Sequence, residues 1–189
     1  MISGVVLAAG TGSRFGGTKQ IVVVDGKPLA QHAIDALSEA GVEEIVVVTG
    51  HDAVSVASSL TLPGNARIVW NKAYRDGQAT SLAAALHSLD DDSEAAVILM
   101  ADQPGVTPDV IRSLVSAFRA TRKQVVRAMY EDGPGPSLLS REIYGEAGHL
   151  HGDVGARILI ASNPGWVEEV RVDGVAPRDI DLPADLEGA

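Results

Sequence analysis

The sequence predicts a single α/β domain of three layers, in which helices cover both faces of a mostly parallel sheet. Two observations support this fold class. Short apolar, β-branched runs alternate with amphipathic stretches along the chain, which is typical of βαβ units. In addition, 46% of the 189 residues are hydrophobic but only 4% are aromatic, so we expect a core of Val, Ile, Leu and Ala.

Five apolar runs are the predicted strands. The run over residues 46–48 and the run over residues 96–99 contain no polar residue, as in strands that are covered on both faces. Such strands belong to a parallel sheet inside an α/β domain. The five predicted strands are residues 2–8, 44–48, 67–70, 95–100 and 123–128.

Two amphipathic segments are the clearest predicted helices. One covers residues 29–37, follows Pro28 and ends before Gly41, which are favourable residues for those two positions. The other covers residues 108–119 and has Thr107 as its predicted N-cap. Apolar residues recur at helical spacing in both: Leu29, Ala33, Ala36 and Leu37 in the first, and Val110, Ile111, Leu114 and Phe118 in the second.

The pattern changes after Tyr130. Residues 131–136 are rich in Gly and Pro and contain too little apolar surface for a core of their own, so we expect a loop that borders the active site. Residues 179–181 are predicted to form a short strand. Residues 183–186 are predicted to form a closing helix with Pro183 in its first turn.

Composition excludes several classes of function. The chain has no cysteine, which excludes disulfides, thiolate metal sites and a cysteine nucleophile. A formal net charge of -10 argues against a nucleic-acid partner, which would need a basic face. The N-terminus lacks a basic leader region, and no apolar run approaches the ~20 residues of a membrane helix. We therefore expect a cytoplasmic protein without a membrane partner, in which residues 90–94 form a solvated acidic connection.

A glycine-rich loop follows the first predicted strand and ends on a cation. Residues 7–19 read Leu-Ala-Ala-Gly-Thr-Gly-Ser-Arg-Phe-Gly-Gly-Thr-Lys. Glycines let backbone N–H groups approach an anion, and Arg14 and Lys19 add the charge that a polyphosphate requires. A dinucleotide-binding fingerprint would need glycine in place of Phe15, and a Walker loop would need its lysine before Thr18. The loop therefore predicts a phosphate site of another kind.

Polar residues follow four of the predicted strands, at residues 10–19, 49–51, 71–81 and 102–104. In an open parallel sheet, ligands bind outside the carboxyl ends of the strands. Asp102 directly follows an apolar strand and suits Mg²⁺, which takes one or two carboxylates together with phosphate oxygens and water. A helix N-cap ahead of Pro104 is the alternative role for Asp102. A second carboxylate would come from Asp179 or Asp181, which share one side of the predicted strand.

The glycine-rich loop resembles the signature L-A-A-G-x-x-S-R-x-G-x-x-K of nucleotidyltransferases that activate a phosphate-bearing substrate with a nucleoside triphosphate. Further motifs recur in order over nearly the whole chain: N-x5-G-Q-A-T-S at residues 71–81, A-D-Q-P at 101–104, G-D-V-G-A-R at 152–157 and D-I-D-L-P-A-D-L at 179–186. With these motifs the chain resembles the MocA-like molybdenum cofactor cytidylyltransferases of the MobA/MocA-like NTP transferase family. The resemblance implies a Rossmann-like fold of the nucleotide-diphospho-sugar transferase (GT-A-like) type.

The resemblance also implies a reaction and a division of the chain. CMP would pass from CTP to a phosphate-bearing acceptor, molybdopterin, with release of pyrophosphate. Residues 1–105 would bind the nucleotide and residues 106–189 the acceptor. A molybdoenzyme or a cofactor chaperone is the implied protein partner.

The implied site residues fall into four groups. Lys19, Arg14 and Asp102 are the expected catalytic residues, with Lys19 nearest the α-phosphate. Asp102 and Asp181 would bind Mg²⁺, with Asp179 as the alternative to Asp181. The expected acceptor contacts are Gln103, Pro104, Asp153 and Arg157. The expected nucleotide contacts are Leu7, Ala8, Ala9, Gly10, Thr11, Gly12, Ser13, Arg14, Lys19, Thr49, Gly50, Asn71, Gly77, Gln78, Ser81 and Asp102.

Two positions bear on the choice of substrate. In the family, Ala-Ala-Gly accompanies cytosine recognition and a glycine at the second position accompanies guanine, so Ala9 implies CTP. The acceptor segment of the family reads Gly-His-Pro, but this chain has Gly133-Pro134-Gly135-Pro136. The acceptor therefore stays open, and a sugar phosphate is an alternative. A GT-A-like glycosyltransferase and a non-catalytic cofactor-binding module are the alternatives to a nucleotidyltransferase.

Overall fold

The computed structural model describes residues 1–152 and 156–188, and these form one α/β domain as predicted. Seven strands form the main sheet in the order β5-β4-β1-β6-β8-β7-β9. Their bounds are β1 Ile2–Ala8, β4 Glu44–Thr49, β5 Ala66–Trp70, β6 Ala95–Met100, β7 Val125–Tyr130, β8 Gly133–Ser140 and β9 Val167–Arg171. A small hairpin pairs β2, Val23–Val24, with β3, Lys27–Pro28.

Strand pairing brings several loops to one edge of the sheet. β1 pairs in parallel with β4 and with β6, and β4 pairs in parallel with β5, so the carboxyl ends of all four strands lie at the same edge. The chain moves outward from β1 to β4 and β5 and then returns to the other side of β1 with β6. The crevice at this reversal is where a doubly wound sheet binds its ligands.

Helices cover both faces of the sheet. On one face, α1 (Leu29–Ala40) and α4 (Pro108–Thr121) pack against strand residues such as Val6 and Val97. On the other face lie α3 (Gln78–Ser88), α5 (Tyr144–Gly148) and α6 (Arg157–Ser162). A short helix, α2 (Ala53–Ser59), follows β4. In the part of the chain that the structure describes, no helix is long and apolar enough to cross a membrane.

The two clearest helix predictions are confirmed. Helix α1 ends at Gly41, whose φ of 80° is the left-handed conformation expected of a C-terminal glycine. In α4, all four residues predicted to point inward are buried, and Thr107 occupies the N-cap position without a capping side-chain hydrogen bond. The acidic connection between α3 and β6 is exposed at Asp90, Asp91, Asp92 and Glu94, as predicted.

The prediction of a loop over residues 131–136 is wrong, because β8 begins at Gly133 and pairs antiparallel with β7. β6 pairs only with residues 137–140 of β8, so the earlier part of β8 extends beyond β6. On the side of β8 that faces β6, residues 133–136 have no partner strand among the described residues, so a proline nitrogen on that side breaks no ladder bond. Two prolines can therefore sit in a strand that is central elsewhere along its length.

The predicted strand over residues 179–181 does not form. This segment has no regular secondary structure, and Ile180 N donates a 2.9 Å hydrogen bond to Asp102 O. The Ile180 side chain is buried against Val24 and Leu29. Separate hydrogen bonds, including one from Lys19 Nζ to Ile180 O at 3.1 Å, and the buried Ile180 side chain therefore hold the two flanking aspartates without a sheet ladder. The closing helix is a 3₁₀ segment, Pro183–Gly188.

Candidate active site

The glycine-rich loop after β1 is pre-shaped by its own backbone. Gly12 and Gly16 have φ values of 59° and 85°, and Gly12 O accepts hydrogen bonds from Gly16 N at 2.9 Å and Gly17 N at 3.4 Å. A Cβ atom at Gly12 would lie 2.0 Å from Gly17 O, so this turn requires glycine. Gln20, buried beneath the loop, donates from Nε2 to Gly10 O at 2.8 Å. The loop is thus a compact turn that leaves much of residues 10–17 open to solvent.

Lys19, at the end of the loop, points into a cluster of oxygen atoms. Its Nζ atom lies 2.7 Å from Asp102 Oδ2, 2.8 Å from Asp181 Oδ1 and 3.1 Å from Ile180 O. The side chain is only 11% exposed, and these three oxygens match the three protons of the ammonium group. Burial opposes the charge of Lys19, but the hydrogen bonds and charges of Asp102 and Asp181 outweigh it and raise the pKa of Lys19.

Asp181 also pairs with Arg14. The Arg14 Nη1 atom lies 3.2 Å from Asp181 Oδ2, but the Arg14 side chain is 78% exposed. The hydrogen bond and the charge of Lys19, followed by the charge of Arg14, lower the pKa of Asp181. One carboxylate therefore bridges the two cations of the glycine-rich loop, although it is far away in sequence.

The carboxylates of this cluster fit a divalent cation. Asp102 Oδ1 is buried and has no hydrogen-bond partner among the described residues, which is unusual for a carboxylate oxygen. Together with Asp181 it supplies hard oxygen ligands, which Mg²⁺ and Mn²⁺ prefer. Within residues 1–152 and 156–188, no group of three or more His, Cys, Asp or Glu side chains is placed to hold a metal. A cation here would therefore need ligands from a substrate and from water.

Asp179 has a different partner from Asp181. Its Oδ1 atom accepts a 2.7 Å hydrogen bond from Gln103 Nε2, whereas Asp181 shares Lys19 with Asp102. The geometry thus groups Asp102 with Asp181, and the assignment of a metal to Asp181 stays a prediction.

Ala9 lies in a packed layer at the ends of β1 and β4. It is 5% exposed, and a Cβ atom built on Gly50 would lie 2.9 Å from Ala9 Cβ and 2.6 Å from Tyr74 Cβ. His51 N donates to Ala9 O at 3.3 Å, and the His51 ring stands 6.1 Å from the Tyr74 ring. Tyr74 is not among the predicted site residues, because no periodic pattern links residue 74 to the end of β1.

The other predicted nucleotide residues are distributed along the crevice. Leu7, Ala8 and Thr49 are buried in their strands. Asn71 Nδ2 donates to Thr80 Oγ1 at 2.9 Å and to Ser81 Oγ at 3.0 Å. Asn71 and Ser81 are buried, so they fix the shape of the loop between β5 and α3. Their contact with a nucleotide stays a prediction.

Gly77 stands where this loop meets residue 152. Its φ is 107°, and a Cβ atom there would lie 2.2 Å from the backbone of Gly152. Ala79 N also donates to Gly152 O at 3.1 Å. A close backbone contact therefore joins the motif at residues 71–81 to the start of the later motif at Gly152.

A cavity of about 330 Å³ opens beside Asp102, over the face of the sheet that α3 and α6 cover. Gln103 and Arg157, predicted to contact the acceptor, both line it, and so do Asp179 and Gln78. Apolar residues form much of the remaining wall: Leu7, Leu82, Ile98, Met100 and Ile160. A volume of this size lies near the lower end of the range for small-molecule sites, ~300–1,000 Å³.

Two predicted acceptor residues are not placed in this cavity. Pro104 lines another cavity, of about 710 Å³, between the β2–β3 hairpin and residues 175–185. Asp153 lies outside the described residues. Conversely, Arg127 lines the cavity beside Asp102, and its Nε atom is buried without a hydrogen-bond partner among the described residues. The sequence analysis missed Arg127, because a single arginine inside a predicted strand carries no pattern.

The chain matches a known family and is similar to solved structures over nearly its whole length. The model of the MobA-like NTP transferase domain matches residues 4–169. Rv0371c from Mycobacterium tuberculosis H37Rv is 31% identical, with a TM-score of 0.87 over 98% of this chain and 95% of that chain. Its complex with manganese superposes with a TM-score of 0.84 at 30% identity and covers 100% of this chain and 99% of that chain.

Curated relatives carry two different names. The bifunctional protein GlmU of Staphylococcus epidermidis is 31% identical over 123 residues, which are 64% of this chain and 27% of GlmU. The chain thus spans about a quarter of the length of this relative. The nicotine blue oxidoreductase of Paenarthrobacter nicotinovorans is 29% identical over 177 residues, which are 88% of this chain and 85% of that protein.

Proposed function

The chain belongs to the family of MobA-like NTP transferase domains, and from that premise we propose that it is a Mg²⁺-dependent cytidylyltransferase. It transfers CMP from CTP to a phosphate-bearing acceptor, molybdopterin, and releases pyrophosphate. The observation that carries the proposal is the meeting of Lys19 with Asp102 and Asp181 at the end of a glycine-rich loop. This arrangement combines a phosphate-binding turn, a buried cation and oxygen ligands for a metal in one crevice.

The reaction is a substitution at the α-phosphate of CTP. An oxygen of the acceptor phosphate forms a bond to the α-phosphorus, and the bond from that phosphorus to the oxygen that bridges to the β-phosphate breaks. Pyrophosphate leaves with that oxygen. A phosphate monoester is already a nucleophile at neutral pH, so positioning and charge neutralisation are sufficient and no general base is required.

Lys19 and Arg14 neutralise the nucleotide. Once the triphosphate enters, its oxygens replace carboxylate oxygens as acceptors for the Lys19 ammonium group. Lys19 then donates to the α-phosphate, where negative charge shifts during transfer, and such preorganised charge is usually the largest catalytic contribution. Arg14, exposed on the same loop, binds the β- and γ-phosphates.

Asp102 and Asp181 hold the metal ion. The buried, unpartnered Oδ1 of Asp102 supports this role, because an ion there would satisfy an oxygen that nothing else in the described chain satisfies. When bound, Mg²⁺ supplies positive charge to the phosphate oxygens. The manganese complex of Rv0371c supports a divalent metal in a similar protein.

The cavity beside Asp102 receives the acceptor. Arg157 binds the phosphate of the acceptor, and the apolar wall covers the ring system of the acceptor. Gln103, which is held by its hydrogen bond to Asp179, orients the acceptor. A sugar phosphate is the alternative acceptor, because the missing histidine at residues 133–137 removes one feature of the pterin-binding family members.

A second candidate function is oxidation or reduction of a compound such as nicotine blue, which the name of the nicotine blue oxidoreductase relative suggests. The apolar wall of the cavity suits such a compound. The glycine-rich loop favours the transferase, since Phe15 stands where a dinucleotide fingerprint needs glycine.

The experiment is a matrix of the four nucleoside triphosphates against molybdopterin and glucose 1-phosphate, with Mg²⁺ present and pyrophosphate release as readout. CTP with molybdopterin should give the highest kcat/KM. Turnover with another pair would revise the substrates alone, and no pyrophosphate from any pair would reject the transferase. A parallel assay of NADPH oxidation with nicotine blue tests the second candidate.

A further inference from the structure

A hydrogen bond joins the glycine-rich loop to the loop after the neighbouring strand. Thr18 Oγ1 donates to Asp52 Oδ2 at 2.9 Å. Thr18 directly precedes Lys19, and Asp52 lies just beyond the carboxyl end of β4. We call this contact the Thr18–Asp52 clasp. It connects two loops of the crevice at the residue next to the buried lysine.

Asp52 holds a strained backbone conformation. Its φ and ψ are 49° and 40°, the left-handed region that residues other than glycine seldom adopt. Residues in such conformations are concentrated at functional sites, where the surrounding structure maintains the strain. Besides Thr18, Asp52 binds Ser55, whose Oγ donates to Asp52 Oδ1 at 2.7 Å. The hydrogen bonds from Ser55 and Thr18 lower the pKa of Asp52, so it is ionised at neutral pH.

The loop that the clasp holds is also anchored inside the crevice by Arg14, Lys19 and Gln20, and the clasp adds an anchor at Thr18. Gly12 O accepts the hydrogen bonds from Gly16 N and Gly17 N, so these bonds shape the turn without fixing it to the sheet. Gln20 fixes the first residue of the loop, Gly10, from the inside. The clasp fixes the last part from the outside. Ordering a free backbone opposes binding, so a loop that is anchored at both ends loses less conformational entropy when it binds phosphate.

We propose that Asp52 is a positioning residue for the nucleotide: its carboxylate holds Thr18 so that the glycine-rich loop and Lys19 keep the geometry that receives the triphosphate. This inference rests on the proposed function. Asp52 acts as a hydrogen-bond acceptor here and not as a charge. A carboxylate near a triphosphate repels it, so an electrostatic role would make Asp52 unfavourable for binding.

Two measurements on the intact chain test the clasp. Amide hydrogen exchange without nucleotide reports on the order of residues 10–18, and isothermal titration with Mg·CTP, without acceptor, reports on affinity. The test variants are Asp52→Ala and Thr18→Val, alone and combined. Asp52→Asn keeps an acceptor oxygen and removes the charge. Ser55→Ala removes the other hydrogen bond of the same carboxylate, and Asp25→Ala alters another exposed aspartate with φ of 49°.

We expect Asp52→Ala and Thr18→Val each to speed exchange at residues 10–18 and to weaken Mg·CTP binding by about threefold to tenfold, the usual worth of one hydrogen bond. The double variant should be no weaker than either single variant, because both remove the same contact. The affinity for Mg·CTP should stay within about twofold of the wild type, which is below the effect of one hydrogen bond, in three control variants: Asp52→Asn, Ser55→Ala and Asp25→Ala.

The outcomes separate the inference from the proposed function. If the wild type binds none of the four Mg·NTP complexes, the proposed function fails, and the role of Asp52 in nucleotide binding fails with it. If the wild type binds Mg·CTP and Asp52→Ala binds it equally well with unchanged exchange, only the inference fails. Tighter binding by Asp52→Asn, or an equal loss in Asp25→Ala, also overturns it, since these results indicate charge repulsion or general strain.

Discussion

Lys19 Nζ lies 2.7 Å from Asp102 Oδ2, and this contact joins the glycine-rich loop after β1 to the loop after β6. The two residues are separated by more than eighty positions in sequence, yet both are more than four-fifths buried in the crevice. In the nucleotide-free chain, the lysine thus neutralises the carboxylates that the proposed function gives to a metal. The contact has consequences for metal binding, for catalysis and for what sequence alone can predict.

Removing the lysine should open the carboxylates to a metal. We expect Lys19→Met to bind free Mn²⁺ more tightly than the wild type does in the absence of nucleotide. If Lys19 leaves the carboxylates free about one time in ten, the wild type binds Mn²⁺ about tenfold more weakly than an open site does. We therefore expect Lys19→Met to bind Mn²⁺ about tenfold more tightly. Electron paramagnetic resonance of unbound Mn²⁺ measures it. Arg14→Met is the matched control, because Arg14 contacts Asp181 from an exposed position. Equal Mn²⁺ affinity in the wild type and in Lys19→Met would contradict the idea that Lys19 competes with the metal for the carboxylates.

Lys19→Ala should slow the chemical step more than it weakens nucleotide binding. The charge of Lys19 is expected to act most strongly as negative charge shifts at the α-phosphate. Loss of one such donor lowers kcat by ~10²–10³. Steady-state kinetics at saturating acceptor separate kcat from the KM for nucleotide. A variant with normal kcat and a raised KM would assign Lys19 to ground-state binding alone.

Ala9→Gly should move base choice from CTP toward GTP. The Ala9 methyl group is buried beside Gly50 and Tyr74, so its removal makes room at the expected floor of the base pocket. One methyl group is worth ~1–3 kcal/mol of discrimination. The ratio of kcat/KM values for the two nucleotides measures the shift. Ala96→Gly, the same change at a buried residue of β6, is the control for a general loss of stability. If Ala9→Gly has the same ratio of kcat/KM values as the wild type, Ala9 is a packing residue only.

A partly buried tyrosine, Tyr144, makes the stability of the folded chain depend on alkaline pH. Burial, against an opposing hydrogen bond with Ser93, raises the pKa of Tyr144 to about 12. Because the folded-state pKa lies above the ordinary value of 10, the stability that Tyr144 contributes is fully present below pH 10. It is lost as the pH rises toward 12. Chemical unfolding between pH 9 and about pH 12 should show this decline in the wild type and a smaller one in Tyr144→Phe.

The sequence pattern is sufficient to predict the parallel half of the sheet. Its four strands are apolar runs that follow one another in βαβ order, so local composition predicts both their existence and the edge where their loops meet: β1, β4, β5 and β6. β8 was missed because Gly133, Pro134 and Pro136 are turn residues, and only the extension of β8 past β6 makes them tolerable. The segment at residues 179–181 was misassigned because separate hydrogen bonds to Asp102 O, Lys19 Nζ and Asp185 Oδ2, and not a ladder, hold it.

The site was predicted where motifs carry it and missed where only tertiary contacts do. Arg14, Lys19 and Asp102 belong to recognisable motifs, and the structure brings all three to one crevice. Tyr74, Asp52 and Arg127 have no such signal. Each reaches the crevice through a loop end or a strand register that the linear sequence does not specify. Pro104, in contrast, belongs to a motif but lines another cavity.

The central claim is that Asp102 holds the metal ion of a nucleotidyl transfer, and the pyrophosphate assay of Asp102→Asn tests it most directly. An amide oxygen carries no net charge, so it is a much weaker ligand to a hard cation than a carboxylate oxygen. We predict that Asp102→Asn keeps the circular dichroism spectrum of the wild type and releases no pyrophosphate from CTP and acceptor at physiological Mg²⁺. Turnover equal to that of the wild type would contradict the metal assignment and the mechanism built on it.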